Sequence, residues 1–140
     1  MADVPPVVLD THAWLWLMLG SPSLRVEALT AVMRAADHGD VLIPAIVPWE
    51  LAMLVRRGRI TLAMPTLAWI EKSLGAPGVM LSPLTPTIAV DSATLPGAPP
   101  SDPADRMIIA TARAQQAVLV TRDAAILRYA EADHVNAVAA

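Results

Sequence analysis

Asp10, Glu50, Asp105 and Asp123 each stand among apolar neighbours with no basic residue in local register. Asp10 interrupts VVLDTHAWLW (7–16), and no Lys or Arg precedes Arg25. An ionised carboxylate taken out of water is costly unless something cationic meets it. In IVPWELAMLV (46–55) the residues three and four positions from Glu50 are Ile46, Val47, Met53 and Leu54. None of them can form the usual (i, i+4) ion pair. Asp105, in SDPADRMIIATA (101–112), faces Ile108 and Ile109 one turn on, and Asp123 follows the apolar run of VLVTRDAAI (118–126).

Each acid also has a structural explanation. Asp10 can cap a helix starting near Ala13, and Asp102 before Pro103 has the form of an N-cap that leaves Asp105 at N3. Glu50 and Asp123 can sit in first turns, where the helix dipole favours negative charge, with Thr121 as the cap ahead of Asp123. The joint pattern is more informative than any member. Four oxygen ligands, no cysteine and no ligand-spaced histidine suit a hard divalent ion, Mg²⁺ or Mn²⁺, rather than zinc. Such an ion polarises a phosphoryl oxygen and activates water, the chemistry of phosphodiester hydrolysis. Asp102 is read as a cap, or at most an acid one step removed from the ion. Crowded carboxylates repel one another without the ion. Removing the charge of Asp10 or Asp105 is therefore expected to relieve strain, and Asp10→Asn to abolish cleavage without loss of metal-free stability.

The elements that must position these acids alternate. Short buried strands are predicted at VVL (7–9), VLIP (41–44), VML (79–81) and AVLV (117–120). Helical periodicity covers Leu24–Ala36, Ala45–Arg57, Thr66–Leu74, Pro86–Ala93, Pro103–Gln116 and Arg122–Ala130. Strand–helix alternation predicts an α/β fold with a largely parallel sheet covered on both faces. Open sheets of this kind gather ligands at the carboxyl ends of their strands, where Asp10 falls. The Pro-rich stretch LPGAPPSDP (95–103) is too short for a domain linker, so residues 1–140 read as one domain.

Composition narrows the class further. The chain is 55% hydrophobic with a mean hydropathy of +0.50, yet its longest apolar run, Ala13–Leu19, is too short to span a bilayer. The start MADVPPVV lacks the basic residues of a secretion signal, so no membrane partner and a cytoplasmic location are expected. A net charge of −3 does not announce a nucleic-acid binder, but nine of the ten basic residues are Arg, with Arg56, Arg57 and Arg59 clustered. Arg suits bidentate phosphate contacts. Arg106 beside Asp105 and Arg122 beside Asp123 are the candidate substrate contacts within the motifs. His12 is expected to pack or to support a ligand, His38 and His134 to lie at the surface, and the four Trp to serve the core or a dimer face.

VVLDTHAWLW, IPAIVPWELAMLVRRGRI, DPADRMIIATA and LVTRDAAIL resemble, in order, the motifs of PIN-domain ribonucleases, and within them the VapC-type toxins of bacterial toxin–antitoxin pairs. The similarity runs from about Val7 to Tyr129. It implies a three-layer PIN-like fold with a mostly parallel five-stranded sheet, and Mg²⁺-dependent endonuclease activity on RNA. It also implies a homodimer and a cognate VapB-type antitoxin that blocks the site. By position the family's acids fall on Asp10, Glu50, Asp105 and Asp123, and Thr11 is placed to hydrogen-bond near the metal. Two positions depart from the pattern: Val47 where many relatives carry a small hydroxyl residue, and Ala104 where many carry an aromatic one.

The rival enzyme is a phosphatase of the haloacid dehalogenase type, which also begins with an aspartate after a strand. That chemistry needs an acid two residues on, where His12 stands, and a lysine near the later acids, whereas Lys72 is the chain's only one. A non-enzyme alternative is an inactive scaffold that binds a partner chain.

Overall fold

Strands buried on both faces read as unbroken apolar runs, because successive side chains point to opposite sides. Val7, Val8 and Leu9 are all fully buried, as are Val41 and Ile43, so layers of helix must cover both faces of the sheet. The computed structural model describes residues 3–140. It contains strands β1 (Val7–Leu9), β2 (Val41–Pro44), β3 (Val79–Ser82), β4 (Val118–Thr121) and β5 (Asn136–Ala139). Helices α1 (Thr11–Leu19) and α2 (Val26–Ala36) follow β1, and α3 (Ile46–Arg56) and α4 (Thr66–Leu74) follow β2. Next come α5 (Pro86–Ala93) and α6 (Pro103–Gln115) before β4, then α7 (Ala124–Ala130) before β5.

The strand order is β3-β2-β1-β4-β5 and every pairing is parallel. The chain therefore winds outward from β1 in one direction, then returns to β1's other side to lay down β4. That reversal leaves a crevice between the carboxyl ends of β1 and β4, where doubly wound folds bind ligands. No helix among the described residues is long and apolar enough to cross a membrane.

Some elements differ from the sequence reading. The helix expected from Arg122 begins at Ala124, because Thr121 belongs to β4, paired with Ala139, and Asp123 is the cap. Leu29 of α2 is 40% exposed, while Ala35 takes an inner position. His38 is exposed as expected, but His134 is half-buried with its ring 5.2 Å from that of Tyr129. Trp14 and Trp69 meet edge-on in the core at 5.2 Å, Trp16 is half-buried, and Trp49 is 55% exposed.

Gly78 marks a close crossing, where the end of α2 passes the start of β3. Its φ is +79°, and a Cβ there would stand 2.3 Å from the Ala36 carbonyl oxygen. Backbone cannot yield as a side-chain tip can. Gly78→Ala is expected to destabilise the fold by on the order of 3 kcal/mol. A denaturant midpoint within error of the parent's would show that α2 and β3 can move apart freely.

Candidate active site

The crevice is built from strand ends. The parallel pairing runs past β1, since the Asp10 N–H donates to the Val120 carbonyl at 3.1 Å. Asp10 then turns extended and caps α1, its Oδ1 accepting from the Ala13 N–H at 2.8 Å. Its Oδ2 accepts from the Thr121 hydroxyl at 2.6 Å and from the Arg122 N–H at 3.1 Å. The capping reading of Asp10 is thus correct, and it holds together with a place in the site. Burial holds its carboxyl above the usual range, and these three donors offset only part of that rise.

Asp123 reaches the crevice from β4. It caps α7 through two N–H groups, those of Ala125 and Ile126, and its own N–H donates to Thr121 Oγ1 at 3.0 Å. Thr121, fully buried, therefore connects two of the acids through one hydroxyl. The sequence reading took it for a cap and missed this role. The only available signal was a hydroxyl residue at the end of a strand beside β1.

Glu50 comes from the first turns of α3. Pro48 is accommodated there because it stands where a helix's N–H groups lack internal partners. Val47 is fully buried, so apolar packing holds the position where many relatives carry a hydroxyl. The Thr11 hydroxyl donates to Glu50 Oε1, linking α1 to α3 across the pocket. Asp102 caps α6, accepting from the Asp105 N–H at 2.9 Å, with Pro103 as the first helical residue.

A cavity of about 220 Å³ results, lined by all four expected acids and Asp102, with Thr11, His12 and Arg122 also on its wall. Glu50, Asp102 and Asp105 offer carboxylate oxygens that all lie within 4.8 Å of one another. This closest grouping brings in Asp102, which the sequence reading set apart. A larger cavity of about 550 Å³ lies at the amino ends of β4 and β5, but Asp133 is the only acid on its wall.

Arg106, expected at the substrate, is turned away. Its Nε donates to the Ser92 carbonyl at 2.9 Å, and its terminal nitrogens donate to Pro100 and Ala93 at 3.3 Å. Consecutive helix residues point about 100° apart, so a neighbour of Asp105 need not share its direction. Arg106 instead ties the end of α5 and the Pro-rich loop to α6, and so steadies Asp102. Tyr129 holds the same loop, its hydroxyl donating to the Pro96 carbonyl at 2.6 Å.

The crowding has an electrostatic signature. Burial first, then the charges of Asp123, Asp102, Glu50 and Asp10, push Asp105 up to about 7. Burial and the nearby acids likewise raise Glu50, against the Thr11 hydrogen bond. Burial and the Arg122 cation lower His12, against Asp10. In the metal-free protein Asp105 binds a proton more tightly when folded than when unfolded, so its contribution is fully present below about pH 4. It is lost as pH rises through about 7. Discounted for solvent screening, the loss between pH 5 and 8 is expected to be roughly 1–2 kcal/mol. Thermal melts in EDTA at those pH values check this, and equal stability would mean that the carboxylates are less crowded than the geometry implies.

A hard, oxygen-only donor set whose members repel one another fits a divalent cation with a preference for carboxylate ligands. Together, the doubly wound parallel sheet and the pocket at its switch point define an α/β protein with an acidic site at the carboxyl ends of its strands. Residues 7–132 match the PIN domain family, and the chain belongs to it. It is 38% identical over 118 residues to Ribonuclease VapC22 of Mycobacterium tuberculosis (strain ATCC 25618 / H37Rv), covering 84% of this chain and 86% of that one. The fold is similar to that in VapBC2 from Rickettsia felis bound to a DNA fragment from their promoter. The TM-score is 0.68 at 15% identity, over 96% of this chain and 98% of that one. FitAcB from Neisseria gonorrhoeae is also similar, with a TM-score of 0.60 at 21% identity, over 94% and 95% of the chains. Family membership removes the haloacid dehalogenase alternative.

Proposed function

We propose that the protein is a metal-dependent endoribonuclease and the VapC-type toxin of a toxin–antitoxin pair, working in the cytoplasm. The observation that carries this reading is the convergence of five carboxylates on one 220 Å³ pocket at the switch point of the sheet. The relative named as a ribonuclease, at 38% identity over most of both chains, supports RNA as the substrate. The solved structures named as VapBC2 and FitAcB support a VapB-type antitoxin as partner, and a homodimer as the working form is carried only by the resemblance of the motifs.

Glu50, Asp102 and Asp105 are the residues grouped closely enough to hold Mg²⁺ or Mn²⁺, with Asp10 and Asp123 on the same wall. A divalent ion there supplies Lewis acidity towards a phosphoryl oxygen and makes water a better nucleophile. The chain's own groups supply the geometry. Thr11 orients Glu50, Thr121 and the Arg122 N–H orient Asp10, and the Arg122 side chain offers a cation to the substrate's phosphates. Cleavage of RNA is expected to require Mg²⁺ or Mn²⁺ and to stop in EDTA. Undiminished cleavage by metal-stripped protein would overturn the reading.

A further inference from the structure

Five carboxylates line the pocket, and Arg122 is the one arginine on its wall. A flexible guanidinium beside so many acids has strong reason to settle on one of them in a bidentate pair. Among the described residues, however, the ion pair within 4.0 Å joins Arg113 to Asp91, and Arg122 makes none. Its guanidinium lies over the Trp16 ring, with Cζ 5.9 Å from the centroid. That ring is met edge-on by His12, at 6.1 Å. The two rings are four residues apart on α1 and so share one helix face. The other end of Arg122 is fixed as well, through its N–H on Asp10 Oδ2 at 3.1 Å.

We propose that Trp16 is a positioning residue that racks the Arg122 cation at the pocket rim for an RNA phosphate flanking the one cleaved. This rests on the ribonuclease reading and adds the group that presents the cation. Arg stacks its plane on an aromatic face while its N–H donors remain free at the edge, where a phosphate is recognised. Without the ring, the guanidinium collapses onto Asp10 or Asp123. There it is neutralised and lost to the substrate.

The test compares the full-length parent with Trp16→Leu, Trp16→Phe, Arg122→Ala, Arg122→Lys and the Trp16→Leu/Arg122→Ala double variant. Cleavage of a single-stranded RNA oligomer in Mg²⁺ is followed across a salt series, beside binding of a DNA oligomer of the same sequence. Trp16→Leu is expected to raise KM by about 3- to 10-fold with kcat within about twofold, the range of a lost cation–π contact. It should also lower the slope of log kcat/KM against log salt by roughly 0.7, as Arg122→Ala does. Trp16→Phe keeps a ring and should retain most of the affinity. The double variant should be no worse than Arg122→Ala, because the ring acts through the cation. Losses that multiply in the double variant, or an unchanged KM and slope in either single one, overturn the proposal. If Trp16→Leu fails to fold, Arg122→Lys decides: an ammonium cannot stack as a plane, so full activity overturns the proposal and an Ala-like KM supports it. A parent that binds the DNA oligomer with the same dependence on Trp16 and Arg122 but cuts no RNA overturns the ribonuclease reading and leaves the rack standing. RNA cleavage with KM unchanged in every variant does the reverse, and failure to bind or cut either oligomer overturns both.

Discussion

Asp105→Asn is expected to lower RNA cleavage by roughly a hundred- to a thousandfold, the range for removing one strong electrostatic contact from a reaction site. The same substitution should stabilise the metal-free protein at pH 8 by about 1 kcal/mol, discounted for solvent screening. Both effects come from one carboxylate. Asp105 is held up to about 7 by burial and by four neighbouring acids, so its ionised form is the strained one without a cation. An amide of the same shape removes that repulsion and also removes a proposed metal ligand. Cleavage assays in Mg²⁺ and melts in EDTA check the two halves. Lower metal-free stability at pH 8 would show that the Asp105 carboxylate serves the fold rather than the ion.

Asp10→Asn should be equally inactive, but its stability effect has the opposite sign. The sequence alone suggested that neutralising Asp10 relieves repulsion. Three donors argue for the opposite sign: the Ala13 and Arg122 N–H groups and the Thr121 hydroxyl all point at its two oxygens. An Asn amide turned either way presents its NH₂ to at least one of those N–H groups. Leaving a buried donor without an acceptor costs about 1–3 kcal/mol. A metal-free loss of this size is expected in Asp10→Asn beside a gain in Asp105→Asn, measured by denaturant unfolding in EDTA. Gains in both would mean that charge crowding dominates throughout the pocket.

Much of the site was legible in the sequence, and the rest was not. Asp10, Glu50 and Asp105 stood out because a partnerless carboxylate in apolar sequence is costly, and that reasoning is local. Whether donors wait for Asp10 depends on β4 lying against β1, which no local window contains. The cap expected of Thr121 fell to Asp123 for the same reason. Both residue types cap helices well, and only the pairing of Thr121 with Ala139 assigns it to a strand. Strand β5 (Asn136–Ala139) carries one small apolar alternation and is partly exposed, so it gave no signal of its own. Arg106 failed through direction, since neighbours in sequence diverge around a helix. The apolar runs of β1, β2 and β4 were plain because central parallel strands must be buried on both faces.

The hydrogen bond from Thr121 to Asp10 spans 111 residues of chain. On a ribosome adding roughly 5–20 residues per second, the second residue follows the first by about 6–20 s. Throughout that interval β1 has no β4 beside it, Asp10 has lost two of its three donors, and Asp105 and Asp123 are late or missing. On the reading proposed above, an enzyme that destroys RNA is thus assembled from RNA's own instructions without endangering them. On that reading, a chain released early by a stalled or broken message carries Asp10 and Glu50 but lacks the groups that complete the pocket, and it is expected to be inactive.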